Sequence, residues 1–404
     1  MKKYFILAAA ALVALTACSK IDVPGTAENS KKISFEVANY TAQTKAGSLA
    51  AEGFYNFHTY ATQFPEIGTA SLFMSNVEVD AWDNEATPAV VLSGNGIYTW
   101  APQNDYYWPK TGYINFYSYA GTKNPTATIS DDKKTVTFDY GTVTVAPNDN
   151  ILVADAALRF NANTNPAKYK PDATVTKGVP TMFRRQLAHV IFKVHLKTTQ
   201  PASSNTTWKV RTIASETINE VEYKSQLTFF KNGSLKLQNV DALADNATMN
   251  TTEQVWTAVV GENANVDGWI AETANEDKEV ITLTSNTLTI AVNKQESEEE
   301  APAYFVAERS VMPQATSNTK FVLYYEVTAS HDNFATDPFL KEIRSVGVDV
   351  EKSLADLASS ITAWNKNKVI TYNIIIDPVS EKVLFDPAVE DWSDAASADI
   401  LPRM

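Results

Sequence analysis

Cysteine is nearly absent from this chain of 404 residues, since Cys18 is the only one. A disulfide needs two thiols, so no disulfide within the chain holds the fold together, and burial of apolar surface has to do so. Hydrophobic residues make up 44% and aromatic residues 11% of the chain. Material for a large core is therefore present, and disorder through low hydrophobicity is excluded.

Positive charge is also scarce: 34 Lys and Arg stand against 47 Asp and Glu, which gives a formal net charge of −13. Removal of Lys2 and Lys3 with an N-terminal signal changes this to −13 − 2 = −15. Nucleic-acid binding relies on a surplus of basic side chains that displaces counterions from phosphates. We therefore expect no nucleic-acid partner.

Long hydrophobic runs are scarce too, and the one from Phe5 to Leu15 is followed by polar residues from Ser19 onward. A transmembrane helix needs about 20 apolar residues, so this run is too short to span a bilayer. Two lysines, a short apolar core and small residues before a cleavage point are typical of a secretory signal.

The residues around the cysteine indicate a lipoprotein box, because Leu15-Thr16-Ala17 stands directly before Cys18. This pattern predicts a signal peptide over residues 1–17 and lipidation of Cys18. Stable attachment to a membrane takes two acyl chains, which a diacyl lipoprotein cysteine supplies. Ser19 gives no aspartate-type retention signal, which favours delivery to the outer membrane or the cell surface.

Residues that carry catalysis or bind metals show no arrangement typical of a site. The four histidines are His58, His189, His195 and His331, and no His-Glu-x-x-His pair occurs. His189 and His195 share one side of a predicted strand, which favours a polar face over catalysis because a catalytic histidine needs a positioned partner. Nucleophile-elbow, phosphate-loop and dinucleotide glycine motifs are absent. We expect no enzyme activity, no cofactor and no metal.

Two aromatic groups, Tyr98-Thr99-Trp100 and Tyr106-Tyr107-Trp108, leave two interpretations open. Exposed rings stack on sugars, whereas aromatic residues beside strands more often pack in a core. A surface lipoprotein that binds glycans is therefore the alternative function. It predicts a retained N-terminus and exposed tryptophans such as Trp100 or Trp108.

Beyond residue 30, helical pattern is limited to Ser353–Ser359, and alternating or β-branched and aromatic runs predict strands instead. The clearest predicted strands are 33–37, 54–60, 113–119, 135–140, 189–196, 226–230, 234–237, 280–292, 303–306, 321–327, 346–350 and 369–376. Asn232-Gly233 predicts a hairpin turn, since this pair accepts positive φ. Without long crossover helices, strands pair antiparallel and sheets pack face to face, so the predicted fold class is all-β with antiparallel β-sandwiches.

The chain length predicts two domains. A polar stretch from Asn161 to Pro180 contains three prolines, at 166, 171 and 180, and is the predicted boundary.

Several segments resemble one family when taken together and in order. They are the lipoprotein box at Cys18, Ile33-Ser34-Phe35, Thr44-Lys45-Ala46, Phe54 to Tyr60, Tyr106-Tyr107-Trp108-Pro109 with Ile114 to Tyr119, Phe183 to Phe192, Trp364 to Ile374, and Val389-Glu390-Asp391-Trp392. This order resembles the fimbrillins, the lipoprotein-derived subunits of type V pili. Arg185 stands where the family commonly has histidine, Asn367 stands where it has glycine, and Lys45 stands at a processing site where arginine is better known.

The resemblance implies two transthyretin-like domains and a subunit that is processed and then polymerised by donor-strand exchange with other pilus subunits, supporting cell adhesion. A trypsin-like protease would cut between Lys45 and Ala46, so that the strand with Ile33, Phe35 and Val37 can leave. The implied donor is the tail after Ile376, with apolar residues Val383, Phe385, Val389, Trp392, Ala396, Ala398 and Ile400. A stalk subunit must both accept and donate a strand, whereas a tip needs only to accept one, so the apolar tail after Trp392 favours a stalk subunit over a tip.

The predicted organisation therefore has four parts. They are a signal peptide over residues 1–17, a lipidated propeptide with the first strand over 18–45, an N-terminal β-sandwich over 46–178, and a C-terminal β-sandwich with the donor tail over 179–404. The expected course is an outer-membrane lipoprotein precursor that becomes part of a cell-surface fimbrium.

Overall fold

The fold is almost entirely β. The computed structural model describes residues 32–39, 56–83, 87–88, 99–161, 178–197, 206–242, 256–259, 266–272, 278–285, 287–290, 304–331, 338–348, 353–378 and 382–391. In chain order, the strands up to residue 185 are β1 (Phe35–Asn39), β2 (Asn56–Phe64), β3 (Ser71–Asp83), β4 (Thr87–Pro88), β5 (Thr99–Pro102), β6 (Tyr113–Gly121), β7 (Thr126–Ile129), β8 (Thr135–Thr144), β9 (Ile151–Ala154), β10 (Ala157–Phe160) and β11 (Val179–Arg185).

The remaining strands follow after residue 187. They are β12 (Ala188–Leu196), β13 (Thr206–Ile213), β14 (Ser215–Ile218), β15 (Val221–Lys224), β16 (Gln226–Phe230), β17 (Asn232–Val240), β18 (Thr257–Ala258), β19 (Trp269–Ala271), β20 (Lys278–Thr282), β21 (Thr287–Ile290), β22 (Tyr304–Val311), β23 (Gln314–Ala315), β24 (Lys320–His331), β25 (Leu340–Val346), β26 (Ala363–Trp364), β27 (Lys368–Asp377) and β28 (Lys382–Asp391). Within the described ranges, helix is limited to a 3-10 turn, Thr316–Asn318, and to α1 (Leu354–Leu357).

The first sheet has nine strands, and most of them pair in a closed ring. Its order is β10-β6-β2-β3-β5-β1-β11-β9, with β4 on β3, and β6 also pairs with β9. Strands β6, β2, β3, β5, β1, β11 and β9 thus form a closed ring. Apolar side chains fill its interior, including Phe57, Trp100, Phe116 and Phe183.

A five-stranded sheet, β18-β17-β8-β7 with β19 on β17, packs on the outside of this ring. Their shared core contains Tyr119 from β6, Phe138 from β8 and Leu235 from β17. Strand pairing therefore crosses the boundary predicted at residue 178: β17 pairs with β8, and β11 pairs with both β1 and β9. The domain limits stay predictions, and the pairings show that the chain ties its two parts together across residue 178.

The second sandwich encloses its own core. A four-stranded sheet, β22-β12-β27-β28, faces a six-stranded sheet, β20-β16-β24-β13-β21 with β25 on β24. Phe192 of β12 stacks against Phe321 of β24 at 5.0 Å and Tyr372 of β27 at 4.8 Å between ring centroids. Two pairs, β1 with β11 and β12 with β27, are parallel, unlike the antiparallel prediction. Each joins strands far apart in sequence, so intervening strands rather than a helix make the connection.

The predicted strands overlap about half of the strands in the described residues, and β3 and β13 are among those that were not predicted. The predicted helix is confirmed. Strand β16 has the predicted bounds 226–230. Helix α1 begins after Ser353, whose backbone N–H donates to Asp356 Oδ2 at 2.6 Å in a capping box.

Three local predictions are wrong. The Asn232-Gly233 hairpin does not form, because both residues begin β17, which pairs in a different sheet from β16. A Cβ at Gly233 would lie 2.0 Å from Met312 Sδ, so packing requires this glycine. The predicted strand 280–292 is two strands, β20 and β21. The predicted strand 346–350 begins where β25 ends, because Gly347 has φ +71°.

The backbone conformation at residue 367 accounts for asparagine at the position where the fimbrillin pattern has glycine. Its φ is 58°, in the left-handed region that glycine and asparagine tolerate. Its backbone N–H donates to the carbonyl of Leu187 at 2.9 Å, which fixes the turn before β27 against the β11–β12 connection.

We expect Asn367→Val to lower the free energy of unfolding by about 1–2 kcal/mol, because a β-branched residue resists positive φ. Asn367→Gly is the matched control and is expected to change stability by only a few tenths of a kcal/mol. Urea denaturation of both variants measures the difference. Equal losses in the two variants would contradict the backbone explanation.

Candidate functional site

The candidate site is the position of β1 in the ring. On one edge, β1 is hydrogen-bonded to β11. Phe35–Asn39 runs parallel to Val179–Phe183, with Phe35 opposite Val179 and Asn39 opposite Phe183. The backbone N–H of Val179 also donates to the carbonyl of Ser34 at 2.7 Å. One edge of β1 is thus paired along the strand.

The other edge of β1 faces β5 and the segment after it. Phe35 lies opposite Trp100 of β5 in an antiparallel pair. The backbone N–H of Ile33 donates to the carbonyl of Tyr106 at 2.8 Å, and Lys32 forms an isolated bridge with Tyr107. Because β1 is bonded on both edges, its departure would leave unpaired backbone groups on β5 and β11.

The side chains of β1 enter the core of the ring. Ile33 is 2% exposed and Phe35 is 4% exposed, while Val37 packs partly buried against the same core. The Phe35 ring makes edge-on contacts with Phe57 at 5.3 Å and Phe116 at 5.6 Å. The alternation in the sequence thus placed this face correctly, while removal of the strand stays a prediction.

Burial of the β1 side chains contributes strongly to the stability of the fold. Burial of each apolar side chain is worth about 1.5–3 kcal/mol, as an upper estimate. Three such residues give several kcal/mol, compared with a net stability of about 5–15 kcal/mol for a whole domain. An empty slot at β1 would therefore strongly favour another apolar strand.

Exposed polar contacts also lie at the end of the ring where β1 begins. Lys32 Nζ lies 2.9 Å from Asp105 Oδ2, with both side chains more than half exposed. The hydrogen bond from Lys32 lowers the pKa of the Asp105 carboxyl below its ordinary value. The Tyr107 hydroxyl donates to the same carboxylate at 3.2 Å. Exposed ion pairs stabilise little, so apolar packing and the backbone ladder hold the strand.

Trp100 and Trp108 belong to the core into which β1 packs. They are 8% and 6% exposed, and each packs on a core phenylalanine, Trp100 on Phe57 at 5.8 Å and Trp108 on Phe116 at 5.7 Å. The core interpretation is confirmed for Trp100 and Trp108, whereas Tyr107 is 42% exposed and Tyr98 lies outside the described residues. The glycan-binding alternative predicted exposed tryptophans such as these two, and that expectation is wrong for both.

The first part of the predicted donor tail is paired within its own chain. Strand β28 lies antiparallel to β27 over its whole length, and Phe385 contacts Phe321 edge-on at 5.9 Å. Val383 also packs on this core, whereas Val389, opposite Ile370, is 47% exposed. The remaining predicted site residues lie outside the described residues; they are Cys18, Lys45, Ala46, Trp392, Ala396, Ala398 and Ile400.

The two histidines of β12 differ from each other. His195 is partly exposed and lies 3.1 Å from Asn373 Oδ1, as a polar face predicts. His189 is 7% exposed and lies 3.0 Å from Glu308 Oε1, so the polar-face prediction is wrong for it. Ile191, on the same side, belongs to the core shared with the ring, which explains the burial of His189. Among the described residues, no group of His, Cys, Asp and Glu could hold a metal ion.

A buried polar cluster that sequence reasoning missed ties the ring to β17. Arg159 and Asp241 form an ion pair at 3.4 Å with side chains 2% and 0% exposed. The Asn115 side chain donates to Asp241 Oδ2 at 3.0 Å and accepts from the Arg159 backbone N–H at 2.7 Å. Hydrophobic alternation carries no signal for such a pair.

Comparisons with known proteins concern the fold. No protein family model and no curated protein matches this chain. Among solved structures, a fimbrial protein from Bacteroides vulgatus ATCC 8482 is similar at 13% identity and a TM-score of 0.48, over 90% of this chain and 99% of that chain. The fimbrial anchor protein Mfa2 from Porphyromonas gingivalis is similar at 9% identity and a TM-score of 0.24, over 89% and 97%.

Proposed polysaccharide binding proteins from Bacteroides thetaiotaomicron VPI-5482 are similar at 10% identity and a TM-score of 0.30, over 92% of this chain and 99% of that chain. The similar structures thus include fimbrial proteins. At these identities they assign no function to this chain. Within the described residues, no helix has the length and apolar character to cross a membrane.

Proposed function

We propose that this chain is a stalk subunit of a surface pilus that polymerises by strand exchange at the position of β1. The observation that carries the proposal is the place of β1, a core strand bonded on both edges yet close to the start of the chain. The predicted lipidated Cys18 precedes it, and the predicted cleavage residue Lys45 follows its last residue by 45 − 39 = 6 positions. One cut would therefore separate this strand from the rest of the protein.

Cleavage by a trypsin-like protease between Lys45 and Ala46 would leave β1 held by non-covalent contacts alone. Its departure with the lipidated segment would expose the edges of β5 and β11 and the apolar floor formed by Phe57 and Phe116. Unpaired strand edges beside an apolar groove bind an added strand through main-chain hydrogen bonds and alternate side chains. The uncut precursor, anchored in the outer membrane through Cys18, would stay monomeric.

The tail beyond β28 has the pattern that such a slot requires. Ala396, Ala398 and Ile400 stand at alternate positions, as Ile33, Phe35 and Val37 do in β1. Alternate residues of a strand share one face. The tail of one subunit would thus place its apolar side in the slot of the next subunit.

We expect deletion of residues 392–404 to abolish polymer formation by the cleaved protein, because the truncated chain keeps β28 but loses the donor segment. Denaturing gels run without boiling measure the ladder of polymers. A chain with its residues 392–404 scrambled is the control for length and composition, and it should also form no ladder. Undiminished ladders from the truncated chain would contradict strand donation by the tail.

A further inference from the structure

We propose that the end of the ring where β1 begins is the surface on which a second copy of this chain docks. This surface, the lower rim, consists of Ile67, Leu72 and Tyr107. The inference rests on the proposed strand exchange and adds the place where donor and acceptor touch.

The lower rim exposes three large side chains. Ile67 in the β2–β3 connection is 92% exposed, Leu72 of β3 is 45% exposed and Tyr107 is 42% exposed. The neighbouring Phe73 and Tyr106 contact each other at 5.7 Å and pack toward the ring core, which brings the segment with Leu72 next to the segment with Tyr107. The bridge between Tyr107 and Lys32 places this surface at the entrance of the β1 slot.

The opposite end of the slot adjoins the rest of the same chain. Beyond Arg185, β11 continues through Gln186 and Leu187 into β12. The backbone N–H of Gln186 donates to the carbonyl of Ile151 at 2.8 Å, and its carbonyl accepts from Trp269 Nε1 at 2.8 Å. An incoming strand therefore has its free approach at the lower rim, and it would run in the direction of β1.

The length of the tail forces the two subunits into contact. If residues 396–400 fill the slot, the link from Asp391 at the end of β28 covers residues 392–395, which is 395 − 391 = 4 residues. At ~3.3 Å per extended residue, these span about 13 Å. The end of β28 in the donor, with its exposed Val389, must then lie within that reach of the acceptor's lower rim.

The test compares polymer yield with occupation of the slot in the cleaved protein. Ile67→Lys combined with Leu72→Lys alters the rim without touching the slot, and Val280→Lys combined with Phe339→Lys is the matched control at exposed apolar positions elsewhere. A synthetic peptide of residues 392–404 probes the slot directly. We expect the rim variant to lose about tenfold in polymer yield, as the loss of a contact hot spot does, while its affinity for the peptide and the yield of the control stay unchanged.

Wild-type polymer yield from a rim variant that binds the peptide would overturn the docking surface and leave strand exchange intact. Failure of the cleaved wild-type protein to bind the peptide would overturn the proposed function and this surface with it. Loss of vesicle binding in the rim variant, together with normal polymers, would assign the rim to a lipid surface and would also overturn docking.

Cysteine chemistry offers a second measurement, because cleavage after Lys45 removes the chain's one native cysteine, Cys18. Ile67→Cys combined with Val389→Cys should cross-link neighbouring subunits in the polymer through a short bismaleimide. Val280→Cys combined with Val389→Cys should give no such product. Equal cross-linking in both variants would contradict contact at the rim.

Discussion

Replacement of Phe35 by alanine is expected to lower the free energy of unfolding of the uncut protein by about 3–5 kcal/mol, the usual cost of removing a buried phenylalanine ring. Phe35 contacts Phe57 and Phe116 edge-on in the ring core and is 4% exposed. The closed ring lets few neighbours move into the cavity, which places the loss toward the upper end. Urea denaturation, followed by tryptophan fluorescence, measures it.

Phe339→Ala is the matched control, because that ring is 58% exposed and its removal should cost less than about 0.5 kcal/mol. In cleaved protein, Phe35→Ala should also speed the departure of the segment ending at Lys45, since packing alone then retains it. A loss below about 1 kcal/mol in the uncut protein would show that β1 contributes little to the ring. The physical basis for strand exchange would then be gone.

Asp241→Ala is expected to lower the free energy of unfolding by about 3–5 kcal/mol, because it leaves the guanidinium of Arg159 buried without its carboxylate. Both side chains are almost fully inaccessible to solvent. The pair joins the ring to the end of β17, so the loss should appear as weaker attachment of the five-stranded sheet. Chemical denaturation combined with hydrogen exchange of β17 locates the effect.

The double variant Arg159→Met with Asp241→Leu should recover most of this loss, since apolar residues of similar volume often replace a buried ion pair without cost. Lys197→Ala is the control for an ion pair at the surface, where Lys197 meets Asp377 at 3.3 Å and is 46% exposed, and it should cost less than about 1 kcal/mol. A double variant less stable than Asp241→Ala would contradict a purely electrostatic penalty.

Local sequence patterns predicted much of this fold, because they report which face of each strand is buried. Alternation predicted the strand that contains Ile33 and Phe35, both of which are buried, and the helix at Ser353 was located by its pattern. The same reasoning failed for Asn232-Gly233. Glycine at position 233 is compatible with a tight turn and also with close packing in a strand. The packing neighbour, Met312, is distant in sequence, so the local pattern does not reveal it.

The closed ring could not be predicted, because pairing partners are chosen over long distances. Phe35 pairs with Val179, which lies 179 − 35 = 144 positions later. The sequence of neither strand identifies the other as its pairing partner. The pair of Arg159 and Asp241 was hidden for a related reason. Among 47 Asp and Glu residues, sequence does not distinguish the buried Asp241 from those at the surface.

The long-range pairings also govern how this protein is made. A chain is synthesised from its N-terminus and folds as its segments appear. β1 lacks its β11 partner until residues 179–183 exist, and β8 lacks β17 until residues 232–240 exist. Contacts of such high order form slowly, so the nascent first half carries open edges that invite aggregation. Holding chaperones would therefore raise the yield of native protein more than they would for a chain built from consecutive hairpins.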